Sequence, residues 1–180
     1  MPGDPLANLI RVLQNAYSGE LAAGYAYRGH WHSVRDLAER ERIRVIEAEE
    51  WHHRELVGEM LRCLGAAPNR RREVIFWIIG RTAGILCHVS GWFFPMYGAG
   101  LLERRNIVEY EDAASYALDS NHEELIDCLL TMAEVEWEHE FFFRHKVLGH
   151  PFLRIFKLWD PAPPKEKIRA AYDLKQKATA

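Results

Sequence analysis

The feature that most constrains this chain is a short pattern that occurs twice. Glu50-Trp51-His52-His53 and Glu136-Trp137-Glu138-His139 both read Glu-Trp-x-His. Each is preceded by a glutamate set in an otherwise apolar helical stripe. Glu20 stands 30 positions before Glu50, and Glu103 stands 33 before Glu136. A tyrosine follows each of these lone glutamates by seven, Tyr27 and Tyr110. Residues i and i+3 share one face of an α-helix, so each Glu-x-x-His can present a carboxylate and an imidazole to one point. A lone carboxylate on a buried apolar face costs several kcal/mol or takes up a proton, unless a cation meets it. One Glu-x-x-His arises easily by chance, whereas two with the same upstream glutamate are a specific signal.

The rest of the chain reads as the scaffold for these residues. Asp4-Pro5 pairs an N-cap with proline at the first helical position. Leu9, Leu13, Ala16, Glu20, Ala23, Tyr27 and Trp31 then recur on one helix face, with Arg11, Ser18 and Gly29 opposite. Asp36-Leu37-Ala38-Glu39 has the form of a capping box and opens a second helix. Its inward stripe is Ile43, Ile46, Glu50, His53, Val57, Leu61 and Leu64, and Gly65 with Pro68 closes it. The turn near Ser33 to Asp36 lies about midway between Glu20 and Glu50, so an antiparallel hairpin brings those carboxylates level.

Asn69 to Arg72 reads as a basic loop. Val74 to Leu102 is the most apolar stretch, yet Arg81 inside it would cost about 2.5–3.5 kcal/mol at the centre of a membrane helix. His88, Gly91 and Pro95 break it further. Two readings follow: a crossover packed on the bundle, or a surface for a membrane interface or a second subunit. The third bundle helix is predicted from about Pro95–Gly100 to Leu118 and offers Glu103, Glu109 and Glu111. Glu103 falls among Leu102, Ile107, Tyr110, Ala113, Ala114 and Ala117, Glu109 lies at the edge of that side, and Glu111 points away. Ser120-Asn121-His122-Glu123 reads as a second capping box. Leu125, Leu129, Met132, Glu136, His139, Phe143 and Val147 form the inward face of the fourth helix, ended by Gly149-His150-Pro151. The expectation is an all-α fold: a four-helix bundle over residues 1–150 and a C-terminal extension over 151–180 that finishes as a short polar helix.

A length of 180 residues suits one domain. The net charge of −3 shows no basic bias towards nucleic acid. Three cysteines without a Cys-x-x-Cys pair point to a reducing compartment. Met1-Pro2-Gly3-Asp4-Pro5 leads into an amphipathic segment, so the expected location is cytoplasmic. His30, His32, His122, His145 and His150 are expected at the surface or in local structure, and Trp51 and Trp137 as packing residues. The sequence holds no Gly-rich phosphate loop and no His-Glu-x-x-His motif.

A Glu-x-x-His from each of two helices and a Glu from each of two more make up the ligand set of di-iron and di-manganese carboxylate bundles. The candidate metal ligands are therefore Glu20, Glu50, His53, Glu103, Glu136 and His139. Two iron ions are the first choice because such sites leave positions open for dioxygen; manganese or a mixed Fe/Mn pair is the alternative. Tyr27 and Tyr110, close by in sequence, are the catalytic candidates, as hydroxyls that can hydrogen-bond the ligating carboxylates.

With these residues in place, the sequence resembles the ferritin-like di-iron carboxylate superfamily. It is more similar to the demethoxyubiquinone hydroxylase type than to the cage-forming ferritins. The resemblance runs from about Leu6 to Val147. It rests on Glu20 with Tyr27 and Gly29, Glu50-x-x-His53, Gly98-Ala99-Gly100 and Glu136-x-x-His139. It implies a ferritin-like four-helix bundle with a long hydrophobic crossover between helices 2 and 3. It implies Glu50 and Glu136 as bridging ligands, Glu20 and Glu103 as terminal ones, and one metal on each of His53 and His139. Local similarity around Val108-Glu109 favours Glu109 over Glu103, so the third-helix ligand stays open between them. The implied activity is that of an oxidoreductase that uses dioxygen and an external electron donor to hydroxylate a quinone-like or other lipophilic substrate. The implied setting is peripheral contact with a membrane, and the exposed apolar segment also suits a homodimer. The alternative functions are an iron-handling ferroxidase, and a structural bundle whose metal only stabilises the fold.

Overall fold

The computed structural model describes residues 4–170 and 172, all in helices, turns and loops with no strand among them. The helices are α1 (Pro5–Ser33), α2 (Leu37–Cys63), α3 (Arg70–Leu86), α4 (Phe93–Asp119) and α5 (Ile126–Val147). This is the all-α bundle class that the helical periodicity predicts. The chain divides into two compact units, Ile10–Pro95 and the remainder.

In the first unit, α1 buries the predicted stripe of Leu13, Ala16, Glu20, Ala23 and Tyr27. Asp36 caps α2 as expected, its side chain accepting from the Glu39 amide at 2.9 Å. Gly65 stands just past the helix end with φ +65°, a left-handed conformation that costs glycine nothing. Arg70 to Arg72 are not a loop. The Asn69 side chain accepts from the amides of Arg71 and Arg72, so these arginines form the first turn of α3. A favourable N-cap, with Glu73 in the first turn, outweighs the repulsion of three cations by the positive helix end.

The face of α1 that carries Ser18 and Gly29, opposite the inward stripe, is packed as well, because α3 lies on it. Gly80 sits against the Ala22 backbone, and Gly84 against the Tyr25 carbonyl and Gly29. A Cβ on Gly29 would fall on the Gly84 backbone, so only glycine allows this approach. Fully buried Ser18 donates to Glu73 Oε1 at 2.7 Å, and Arg54 of α2 pairs with Glu73 and reaches the Tyr17 carbonyl. The apolar crossover therefore packs through its small residues. Its large ones, among them Ile75, Ile78, Ile85 and Val89, remain exposed. No helix among the described residues is long and apolar enough to cross a membrane.

In the second unit, α4 buries Met96, Glu103, Ile107, Tyr110, Ala113, Ala114 and Ala117. Ser120 to Glu123 does not cap the next helix. Ser120 Oγ bonds back to the Tyr116 carbonyl at 2.7 Å, and Asn121 takes φ 60°, which asparagine tolerates. A 3-10 turn over Glu123–Leu125 then leads into α5. The inward face of α5 is the predicted one, extended by Leu130, Ala133 and Glu140.

The C-terminal extension is pinned along its own unit. Trp159 is buried, donates to Glu140 Oε1 at 2.7 Å, lies edge-on to Tyr97 and fills the space beside Gly100. Tyr97 donates to the Lys157 carbonyl at 2.6 Å, and Trp137 to the Pro163 carbonyl at 2.7 Å. Arg169 reaches Glu134, Asp127 and Thr131. Residues 166–170 are helical, in line with the predicted terminal helix. The expectations for Met1 to Gly3 and for the last residues of the extension lie outside the described residues.

Candidate metal centre

In the unit Ile10–Pro95, Glu20 comes from α1, and Glu50 and His53 from one face of α2. All three are buried, at 3%, 0% and 3% exposure. One donor atom from each lies within 4.8 Å of the other two. The hairpin explains this meeting, because both glutamates belong to the apolar stripes that the two helices turn inward. Other buried acids in this unit have different surroundings. Glu47, one turn before Glu50, accepts from Trp31 at 2.6 Å, Trp51 at 3.1 Å and Arg28 at 2.8 Å. Glu39 accepts from the Trp92 indole at 2.8 Å. Indole and guanidinium donors offset the desolvation of these carboxylates, and the motif tryptophan Trp51 serves as one of them.

In the second unit, Glu103 comes from α4, and Glu136 and His139 from α5, all at 0% exposure. Donor atoms of these three also lie within 4.8 Å of one another. Desolvation, then the charge of Glu136 and a hydrogen bond with it, push Glu103 well above the usual carboxylate range; His139 and Asn106 pull the other way. His139 Nδ1 lies 3.4 Å from Glu136 Oε2. Asn106, three residues along α4, donates from Nδ2 to Glu103 Oε2 at 2.9 Å. Glu103 is thus the third-helix glutamate that meets the motif, while Glu109 and Glu111 are only partly buried. Glu140 accepts from Trp159, with Arg144 at 3.9 Å, and so resembles Glu47 rather than the triad.

The donor set fits a divalent transition metal. Each triad offers two carboxylates and one imidazole, which suit iron, manganese or zinc. Each also crowds acidic groups in a buried interior, where a cation would offset their mutual repulsion. Tyr27 and Tyr110 are buried in the core, two helical turns beyond Glu20 and Glu103. Of the two expectations for His30, the surface one is overturned: it is 2% exposed and stacks on Tyr27, three residues before it. Burial lowers its pKa to about 4. It lines a cavity of about 440 Å³ with Arg35, Asp36, Cys87 and Trp92, where burial also pushes the Cys87 thiol up to about 11. Sequence reasoning passed over Asn106, Glu47 and Glu140. Only the position of Asn106, one turn beyond Glu103, could have marked it.

The chain is similar to 3-demethoxyubiquinol 3-hydroxylase from three subspecies of Francisella tularensis: novicida (strain U112), tularensis (strain WY96-3418) and mediasiatica (strain FSC147). In each case it is 28% identical over 136 residues, 74% of this chain and 61% of the relative. The chain thus spans about three-fifths of the length of the curated relatives it matches. No protein-family model matches it, and no solved structure matches it significantly. The resemblance to the demethoxyubiquinone hydroxylase type, drawn above from the motifs, is borne out by these relatives.

Proposed function

We propose that this chain is a di-iron carboxylate oxidoreductase that uses dioxygen to hydroxylate a quinone-like or other lipophilic substrate. Manganese or a mixed pair is the alternative metal content. The observation that carries the reading is the pair of buried Glu/Glu/His triads, one built by each unit from the same sequence pattern. The likeness to hydroxylases supports the reaction class. Glu20, Glu50 and His53 would hold one ion, and Glu103, Glu136 and His139 the other. Bound iron would supply the electrons and open coordination positions that dioxygen needs, with reducing equivalents from an external donor.

The protein's own residues set the conditions for this chemistry. Each triad would bring two carboxylate charges against the two positive charges of one divalent ion, so a loaded triad would be close to neutral. Burial of all six excludes bulk water from the reacting atoms. Tyr27 and Tyr110 would supply hydroxyls to orient carboxylates. The exposed apolar face of α3, near Arg70 to Arg72 and Arg81, would lie on an acidic membrane surface and bring the lipophilic substrate within reach.

Metal analysis of protein purified without chelator tests the site. About two irons per chain are expected, with loss in both Glu50→Ala and Glu136→Ala. No transition metal after anaerobic iron loading would overturn the proposal. Reduced protein given dioxygen and a short-chain quinol should yield product one oxygen heavier. Repeated oxidation of added Fe(II), well beyond two per chain and without organic product, would move the chain to the iron-handling alternative.

A further inference from the structure

We infer that Asn106 is the positioning residue of the Glu103 arm of the metal centre, fixing which carboxylate oxygen that glutamate offers to a metal. This rests on the metal-centre reading above. Glu103 is fully buried and sits on α4, whereas its triad partners Glu136 and His139 sit together on α5. The α5 pair is ordered by its own i, i+3 spacing, but Glu103 enters alone on a side chain with three rotatable bonds. Asn106 removes much of that freedom. It is the next residue along the same helix face, and its Nδ2 donates to Glu103 Oε2 at 2.9 Å.

An amide is the right group for this task. It donates a directed hydrogen bond without adding charge or offering a competing anionic ligand. By occupying Oε2, it biases Glu103 towards binding through Oε1 and against rotating away. Hydrogen bonds of this kind to ligating carboxylates typically contribute 10–100-fold to metal affinity. The first half of the chain carries Ala23 at the matching place three residues after Glu20, and alanine offers no such donor. The role of Asn106 is therefore confined to one metal position.

Cobalt(II) titration, read by its visible d–d absorption, tests this in the wild type, Asn106→Leu and Asn106→Gln. The expected result is two cobalt equivalents in the wild type. In Asn106→Leu, one equivalent should weaken 10–100-fold with an altered absorption band, while the other is unchanged. Asn106→Gln, which keeps the amide, should restore most of the lost affinity. The metal-free Asn106→Leu protein should melt within a few degrees of the wild type, which separates positioning from folding. Unchanged binding of both equivalents by Asn106→Leu overturns the inference and leaves the metal centre standing. Equal loss in Leu and Gln variants overturns it too, because side-chain fit rather than the donor would then matter. Wild-type protein that takes up no cobalt overturns the metal-centre reading and this inference with it.

Discussion

Residues 10–95 and 96–170 carry the same ligand pattern but close its outer side in different ways. In the first half, the motif tryptophan Trp51 donates to Glu47, which also accepts from Trp31 and Arg28. In the second half, the residue three before the motif glutamate is Ala133, and Trp137 donates instead to the Pro163 carbonyl. The first half is covered by α3, laid on α1 through glycines, backbone against backbone. The second half is covered by the C-terminal extension, held by the Trp159 side chain and by Arg169. The inward faces of both halves repeat one arrangement, a buried carboxylate and imidazole at i, i+3. The outward face needs only that each buried donor and acceptor find a partner, and several solutions serve.

The strongest way to break this comparison is to add one methyl group to each half. In Gly29→Ala the new Cβ falls on the Gly84 backbone of α3, and backbone cannot turn aside. The helices must separate, and the loss should be about 3 kcal/mol or more, at the upper end of overpacking costs. In Gly100→Ala the obstruction is the edge of the Trp159 ring, with Phe143 Cβ at 3.0 Å. A side chain can turn aside where backbone cannot, so the loss should be about 1–2 kcal/mol. Urea unfolding measures both, and limited proteolysis of Gly100→Ala should cut earlier at Lys157 or Lys165. Equal losses, or intact protection of the extension, would show that the two covers do not differ in kind.

Acid should also separate the halves, with an effect nearly as large. His30 lies in the first half, buried and neutral, with its pKa lowered to about 4. The unfolded chain binds a proton there near pH 6.5, so it holds more protons than the folded one between pH 6.5 and 4. Stability is then fully present above pH 6.5 and falls as the pH drops towards 4, by up to about 3 kcal/mol. Urea midpoints should decline across that window in the wild type and decline less in His30→Asn. Parallel curves for the two proteins would remove His30 as the cause.

Much of this was legible in the sequence. The i, i+3 pattern and the apolar stripes give the helices, all six candidate ligands, and Glu103 as the inward-facing choice on α4. What was not legible has a common physical character. Ser18 and Gly29, opposite the inward stripe, do not announce the contact with α3, because small residues mark a close helix crossing as readily as exposure. His30 stands among the histidines expected at the surface or in local structure because a single histidine carries no periodic signal. Arg70 to Arg72 read as a loop because charge is visible in composition, whereas the hydrogen bonds from Asn69 that start a helix depend on backbone geometry. Nothing in the sequence shows where the extension docks, because a tryptophan anchor such as Trp159 needs a partner far away in sequence, here Gly100 and Glu140.

The smallest effect sharpens the comparison in another way, through salt. Arg169 binds Glu134 at 2.8 Å, Asp127 at 2.7 Å and Thr131 at 2.8 Å, while its side chain stays 40% exposed. Exposed ion pairs contribute about 0–1 kcal/mol and are screened as ionic strength rises. Arg169→Ala should therefore lower stability by less than about 1 kcal/mol at low salt, and the difference from wild type should shrink in 1 M NaCl. Hydrogen exchange gives the local readout: amides of residues 165–170 should exchange faster in the variant, and faster in the wild type at high salt. The cover of the first half should not respond in this way, because glycine contacts between α3 and α1 carry no charge. Amides of α3 around Gly80 and Gly84 should keep their protection across the same salt range. If salt loosened α3 as much as the extension, its docking would depend on the Arg54–Glu73 pair, whose side chains are 17% and 19% exposed, rather than on the glycine crossing.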